Sequence, residues 1–371
     1  MLAYVNLLHN LLSLYTHPLL PSPCLVHCQA LGVRDVLSFE FVSPPPRDAL
    51  VAALEQLLSI GALDNTGALS SAGALMSKMP LEPSYSKALL AASVSDCLSP
   101  MLSLIAMLSV EGAAFITPHA SQRGKKGLKG ESARELADEA RRRFSCAQAD
   151  TITLVNVFAA FAGRQGAQAK AWCDQHYVNR RTMESAVQVR SQLRETCERL
   201  QLLSSGFSER EAAEAEEAKR RSQLGVPIVD QDTSRTLRRC LTSAFFLNAA
   251  QRQPSGEYLA LTSKQTVAIH PSSSLFQRRV QCVLFNELLF TTKLYMRELT
   301  QIEAEWLPEL APQVFQAQAI AAAGKGGEGG KGQRLVDDPA LRQGGAGRAR
   351  AVQEAMPRHA NGLPNPAAFR R

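Results

Sequence analysis

A chain of 371 residues that is 45% hydrophobic and 20% charged has an ordinary globular composition with room for two or three cored domains. Its 6% aromatic content and abundant Ala and Leu favour helix over an all-β fold. The formal charge of +7 invites a nucleic-acid reading, yet nine Lys/Arg stand against four Asp/Glu from Ala321 to the end, which leaves only +2 for the first 320 residues.

Eight cysteines without paired spacing, and no secretory signal with a basic start, exclude a disulfide framework and point to reduced thiols in an intracellular protein. In the divergent segment 1–28, the apolar run through Leu7, Leu8, Leu11, Leu12 and Leu14 is broken by His9, Asn10, His17 and Pro18, too early for a membrane span. Cys24, His27 and Cys28 lack the second ligand pair that a zinc site needs, so no metal is expected.

Three prolines at 44–46 close the stretch 29–46, and a helix follows over Asp48–Ile60 with Leu50, Val51, Leu54, Leu57 and Leu58 at helical spacing. Gly61 stops it, Asn65-Thr66-Gly67 turns, and Ser70 or Ser71 caps a short helix through Met76. Helix, tight wing and helix in this order read as a winged-helix unit over 29–83. Residues 84–110 carry two apolar helical runs without an acid or base suited to catalysis, so a buried helical pair is expected. Residues 119–130 form a basic, glycine-rich loop with Arg123, Lys125, Lys126 and Lys129, read as solvated.

The stretch Asp138-Glu139-Ala140-Arg141 is one letter from the Asp-Glu-Ala-His box of an ATP-driven motor. Ala133, Leu136/Ala137, Ala140 and Phe144 give an apolar helix stripe, with Asp138 to Arg142 and Glu139 to Arg143 expected as exposed i,i+4 pairs. A magnesium-holding Asp needs a buried strand before it and a GxxxxGK[S/T] phosphate loop, and neither occurs in these residues, so a charged helix face is expected.

Helices are expected over 149–161 and 170–203, the latter with Val189, Leu193, Cys197 and Leu200 as its buried stripe. Arg190 and Arg194 lie one residue beyond that stripe and Arg180 and Arg181 open the helix, which suits either phosphate contacts or a solvated face pairing with Glu195 and Glu198. Residues 206–233 read as a charged linker with room for partial helix. Leu237, Cys240, Leu241, Ala244 and Phe245 then give an amphipathic helix with Arg235, Arg238 and Arg239 exposed. Five short β-rich runs from EYLALT to TQIEA, separated by turn residues, predict a small barrel within 234–317. The tail 318–371 is low in bulky apolar residues and reads as a disordered basic segment.

In order and spacing, LSFEFVSPPP, LLSIGALDNTGALSSAGALMSKMPLEPSYSKALL, LSLIAMLSVEG, TLVNVF, WCDQHYVNRRTM, VRSQLRE, VAIHPSSSLF and ELLFTTKLYMRELTQIEAEWLPELAP resemble the region that follows the motor in DEAH-box RNA helicases. The resemblance covers 29–317 and implies a mainly α fold with a small β-barrel: a winged helix at 29–83, a helical ratchet bundle at 84–205 and a C-terminal OB-fold at 234–317. It implies an RNA-processing role, in splicing or ribosome biogenesis, in a nuclear or nucleolar setting, with cytoplasmic residence the other option.

It further implies single-stranded RNA as a partner, contacted by Arg180, Arg181 and Arg190 in the ratchet, by His270, Ser272 and Ser273 in the loop His270-Pro271-Ser272-Ser273-Ser274, and by Lys293 in TTKLYM. For His270 the competing reading is a strand end satisfied by backbone. Glycine-rich-patch activators or a helicase motor are the implied protein partners, with no membrane. ATP and magnesium belong to the family's motor domains, so no cofactor, catalytic residue or ATP turnover is expected of these residues alone. One departure stands out: where the family commonly has Asp-His, this chain has Asp150-Thr151. The alternative function is a stand-alone protein-interaction adaptor with little RNA affinity.

Overall fold

The computed structural model describes residues 22–33, 35–41, 44–116 and 130–315. The expectations for the apolar start, the basic loop up to residue 129 and the tail lie outside them. Two compact units make up the chain, one from residues up to Leu90 together with those from Leu307, the other from Ala91 to Trp306.

In the first unit, α1 (Ser22–Ala30) packs on α2 (Arg47–Ser59) and on α3 (Ser71–Met76). Leu50, Ala53, Leu54 and Leu57 form the buried stripe of α2, as their three- and four-residue spacing dictates. Two polar stitches hold α1 in place: the Ser22 hydroxyl donates to Gln56 Oε1 at 2.9 Å and Gln29 Nε2 donates to the Gly67 carbonyl at 3.2 Å. His27 Nδ1 lies 2.7 Å from the Pro23 carbonyl, so that nitrogen carries a proton and donates.

The wing between α2 and α3 is a minimal antiparallel bridge, Leu63 to Leu69. Its turn is tied by Asp64, whose carboxylate accepts from Thr66 N at 2.8 Å, Thr66 Oγ1 at 2.6 Å and Ala68 N at 3.0 Å. The Thr66 hydroxyl bond holds the Asp64 carboxyl below its ordinary range. Ser70 caps α3: its oxygen accepts from Gly73 N at 2.9 Å while its hydroxyl donates to the Gly61 carbonyl at 2.6 Å.

A Cβ on Gly73 would stand 2.0 Å from the Ala62 carbonyl oxygen, inside contact distance, so α3 reaches its seat only with glycine there. Gly73→Ala is therefore expected to cost about 2 kcal/mol through overpacking. Faster amide exchange across α3 than in the unaltered chain is the readout, and unchanged protection would refute the close fit.

Helix α4 (Pro83–Val94) is followed by α5 (Leu98–Ser109), which buries nine of its residues from Leu98 to Met107. Within the second unit α5 is the central rod, flanked by α7 (Asp150–Phe161) and α9 (Arg180–Arg199). α6 (Gly130–Arg142) lies against α8 (Gly166–His176), and Met107, Phe144, Val157, Phe158, Phe161, Trp172 and Met183 fill the core around them. Asn156 is buried there and satisfied on both sides, donating to the Phe144 carbonyl at 2.9 Å and accepting from Val229 N at 3.1 Å.

The segment 138–141 lies on α6, a charged helix face with Ala137, Ala140 and Phe144 buried. Two details differ from the spacing argument. Leu136 faces outward at 46% exposure, and Arg142 pairs with Glu139 at 2.9 Å rather than with Asp138, because the helix ends at Arg142 and three-residue reach suffices.

Most of the span read as a charged linker is a helix, α10 (Phe207–Leu224), packed on α7. Buried Phe207 and Ala218 anchor it, left-handed Gly206 and Gly225 bound it, and Glu217 pairs with Arg220 and Arg221 at 2.7 Å along its outer face. Few apolar residues are needed when they fall on one line and an acid, Glu211, meets arginines inside the bundle.

The next helix, α11 (Gln231–Phe245), is capped by Asp230, which accepts from Thr233 N at 2.8 Å. Of its three arginines expected at the surface, Arg238 is buried. The correction has a physical cause: its Nη1 donates to the Gln301 carbonyl at 3.0 Å and its plane lies over the Trp306 ring, while burial lowers its pKa. Five cysteines of this unit are buried as thiols, Cys97 and Cys240 with sulfurs 3.7 Å apart, and burial pushes Cys282 up to about 12.

Seven strands follow: β1 (Ala249–Arg252), β2 (Tyr258–Ala260), β3 (Thr266–Ile269), β4 (Cys282–Leu284), β5 (Glu287–Phe290), β6 (Leu294–Arg297) and β7 (Thr300–Gln301). They form one curled, half-barrel sheet in the order β5-β6-β3-β2-β1-β4-β7, antiparallel except for the β3–β6 pair. Its core is Ala250, Val267, Leu275, Val283, Phe285, Met296 and Leu299. The five expected runs become seven strands because LLFTTKLYMREL folds as a hairpin and because Ala-Ala-Gln-Arg, without a β-branched residue, pairs in the sheet centre. Helix α12 (Trp306–Leu310) follows the strands, and in the first unit Gln313 Nε2 donates to the Ser59 carbonyl at 2.9 Å.

Candidate nucleic-acid interface

The arginines of α9 divide into two kinds. Arg180 and Arg181 stand at its exposed N-terminus, where Asn179 caps the helix by accepting from Arg181 N at 3.1 Å and Arg180 lies 3.5 Å from Glu184. Arg190 instead turns inward, with an 18% exposed side chain. Its Nε donates to Ser103 Oγ at 2.8 Å, its Nη2 to Glu211 Oε1 at 2.7 Å and to Ser99 Oγ at 3.2 Å. Arg194 shares the same acid, donating from Nε to Glu211 Oε2 at 2.9 Å.

Expected from the resemblance to face RNA, the Arg190 guanidinium is in this structure bonded to α5 and α10. Sequence spacing could not reveal this, because Glu211 was assigned to a linker and Ser99 and Ser103 lie about ninety residues away.

The loop after β3 is likewise self-contained. Ser272 N donates to His270 Nδ1 at 3.1 Å, which makes that nitrogen an acceptor and leaves the proton on Nε2. Ser272 Oγ, 2.7 Å away, then donates to the same Nδ1. His270 N donates to the Met296 carbonyl at 3.1 Å and the ring meets Tyr295 edge-on, so only the Nε2 proton faces outward chemistry.

Ser273 and Ser274 serve a different acid. Asp150, the first residue of α7 and 9% exposed, accepts from Ser273 Oγ at 2.6 Å, Ser274 N at 2.7 Å and Leu299 N at 3.1 Å. This carboxylate at a helix N-terminus clamps the loop and the start of β7 to the bundle, and Asp150 N returns a bond to the Leu299 carbonyl at 2.7 Å. Ser273 is therefore a clamp rather than a free hydroxyl. Beside it, Thr151 and Thr300 hydroxyls meet at 2.7 Å in the interior, which is what this chain places where the resembled family commonly has histidine.

Lys293 is exposed in the β5–β6 turn, where Thr291 N donates to its carbonyl at 3.1 Å. It shares with Arg252, Arg278 and Arg279 the rim of a cleft of about 640 Å³ on the sheet, with Tyr258 and Phe276 also lining it. Phe276 is 40% exposed, whereas the Tyr258 hydroxyl is buried and donates to the Val280 carbonyl at 2.8 Å. Arg252, Phe276, Arg278 and Arg279 are not singled out by the sequence, since they come from two separate segments and Gln-Arg-Arg-Val alone reads as an ordinary turn.

A winged unit, a helical bundle with a central buried rod and a curled seven-stranded half-barrel define a helicase-associated type of module. Family models match in the same order: the winged-helix part of the helicase-associated domain (HA2) at 53–81, its ratchet-like part at 82–154 and an oligonucleotide/oligosaccharide-binding (OB) fold at 237–314. The chain is 36% identical to the "Pre-mRNA-splicing factor ATP-dependent RNA helicase DEAH10" of Arabidopsis thaliana over 80% of its length and 38% of that protein. It is 33% identical to the human "ATP-dependent RNA helicase DHX33" over 79% of its length and 36% of that protein, and equally to its mouse counterpart.

The chain belongs to the DEAH-box RNA helicase family, of which it carries the winged-helix, ratchet-like and OB-fold region. It spans 36% to 38% of the length of these curated relatives.

Proposed function

We propose that this chain is the RNA-holding and partner-binding module of a DEAH-box ATP-dependent RNA helicase acting in RNA processing in the nucleus or nucleolus, gripping single-stranded RNA beside a motor. The observation that carries this reading is the match over four-fifths of the chain to proteins named ATP-dependent RNA helicases. Arg180, Arg181, Lys293 and the outward Nε2 proton of His270 remain available for phosphate and sugar, whereas Arg190 and Ser273 are used internally. ATP and magnesium would be held by the motor, and glycine-rich-patch proteins are the proposed activators.

The test is a titration of labelled polyuridine with the 371-residue chain. Binding is expected at low salt, weakening linearly in log-log form as salt rises, because phosphate contacts release counterions. No binding at any salt would sink the RNA role.

One observation favours the adaptor alternative: Phe290 is 76% exposed and Leu288 37% exposed on edge strand β5. An edge strand with outward apolar side chains suits strand addition by a protein partner. Capture of a glycine-rich-patch peptide without RNA binding would select that reading.

A further inference from the structure

Two thiols meet in the interior of the second unit, and the RNA reading uses neither. Cys97, the N-cap residue of α5, and Cys240 on α11 are both buried, with their sulfurs 3.7 Å apart. A disulfide holds its sulfurs at about 2.05 Å, so a closure of about 1.7 Å joins the pair. Cys97 is the member able to move, because it lies outside any helix, in the short turn between α4 and α5 where Asp96 stands at φ 52°.

The two thiols are not equivalent. The hydrogen bond that Cys97 gives to Cys240, together with burial and the charges of Asp96 and Glu214, pushes the Cys97 thiol up. The same bond, with Ser95 and the Arg239 charge, holds Cys240 below its ordinary value despite its burial. Cys240 therefore supplies the thiolate, the form that attacks peroxides. Other thiols of the unit lack such a partner: burial pushes Cys173 and Cys197 up to about 11 and Cys282 up to about 12. A cavity of about 60 Å³ lies beside the turn, lined among others by Asp96, Leu98 and Glu214. It exceeds several times the roughly 15 Å³ that a water-sized molecule occupies, so a small oxidant fits there.

We propose that Cys97 and Cys240 form a peroxide-sensitive dithiol, which hydrogen peroxide converts into an intramolecular disulfide that latches the α4–α5 turn to α11. The Cys240 thiolate attacks one peroxide oxygen, the O–O bond breaks, and the departing hydroxide takes up a proton as water, leaving Cys240 as a sulfenic acid. That step removes the negative charge that had kept the Cys97 proton in place. The Cys97 sulfur then attacks the Cys240 sulfur; the S–S bond forms, the S–O bond breaks, and the hydroxide leaves with the Cys97 proton as a second water. Two thiols give up two electrons in all, and one peroxide accepts them. A cellular dithiol returns the pair to thiols by exchange. The link spans 143 positions, so it restricts the unfolded chain and stabilises the second unit.

The experiment treats the reduced 371-residue chain with a molar series of hydrogen peroxide, alkylates the remaining thiols after unfolding, and maps the digest by mass. A cross-linked peptide containing Cys97 and Cys240 is expected, lighter by two hydrogens than its reduced halves and lost on treatment with dithiothreitol. Cys197 and Cys282 should oxidise at least about tenfold more slowly than Cys240. The oxidised chain should melt several degrees higher, and dithiothreitol should reverse the shift. In C97A, Cys240 is expected to stop at the sulfenic acid, which dimedone traps, with no rise in melting temperature.

The mapping of the unaltered chain decides the matter even where a variant folds poorly. If Cys97 and Cys240 stay alkylatable at peroxide doses that oxidise the half-buried Cys24 and Cys28, they are inert packing and the proposal fails. If Cys240 runs on to the sulfinic acid or pairs elsewhere while Cys97 remains a thiol, the latch does not close. A cross-link that leaves the melting temperature unchanged would refute its stabilising role.

Discussion

Replacing Asp150 with alanine is expected to destabilise the second unit by about 4 kcal/mol, because it strips the carboxylate from three buried or half-buried donors at once. Ser273 Oγ, Ser274 N and Leu299 N all end on this group, at 2.6, 2.7 and 3.1 Å. A bond to a charged acceptor contributes more than a neutral one, and each donor left without a partner in the interior bears its own desolvation cost. Asn in its place keeps the shape but turns one oxygen into a donor that faces other donors, so D150N should recover only part of the loss.

Both tryptophans, Trp172 and Trp306, lie in the unit that contains Asp150, so urea unfolding followed by their fluorescence reports on the right cooperative block. S273A, which removes one donor and leaves the rest, should fall near about 1 kcal/mol. An alanine variant at position 150 with the midpoint of the unaltered chain would mean that the clamp contributes nothing to holding loop and bundle together.

The contrast between what the sequence announces and what it conceals follows one rule. α2, α5, α7 and α9 are legible because their apolar residues return every three or four positions, and the wing is legible because the turn through Gly67 and the capping Ser70 each meet a local backbone need. Everything decided within about five residues can be read along the chain. What escapes is decided by partners far away. α10 has too few apolar residues to be recognised by composition, and becomes a helix docked in the bundle because Phe207 and Glu211 find Arg194 and Arg190. Arg238 looks like its neighbours Arg235 and Arg239 on a helical projection, and only the carbonyl of Gln301 and the ring of Trp306 make its burial tolerable.

The same rule governs the site residues. A lysine or arginine in a matched word is available to RNA only if its own chain has not buried it against an acid. Lys293 sits on a turn, exposed and with no acid paired to it among the described residues. Ser273 lies in an equally good word but faces Asp150, whose approach depends on how the OB-fold loop meets the start of α7, 123 positions away. The cleft is hard to read for the complementary reason: Phe276 and Lys293 lie in matched words, but Arg252, Arg278 and Arg279 do not, and the charges gather only when β1, β3 and β6 curl together.

Arg190 gives the sharpest separation between the two accounts of a basic residue. If it grips RNA, R190A weakens binding and leaves stability alone; if it is internal, the reverse holds. The geometry favours the second: Ser99, Ser103 and Glu211 surround its guanidinium, and the Phe158 ring lies under it at 5.9 Å. R190A is therefore expected to cost about 3 kcal/mol, since it removes a largely buried partner from Glu211 and orphans two serine hydroxyls in the helix interface. Arg194 stays on the other carboxylate oxygen and keeps the loss from being larger.

R190K should rescue little, because one ammonium cannot reach from α5 to α10 as the planar fork does. Polyuridine affinity, measured well below the unfolding transition, should be that of the unaltered chain. A variant that melts normally yet binds RNA tenfold more weakly would return Arg190 to the RNA path, and would require Glu211 to release it when RNA arrives.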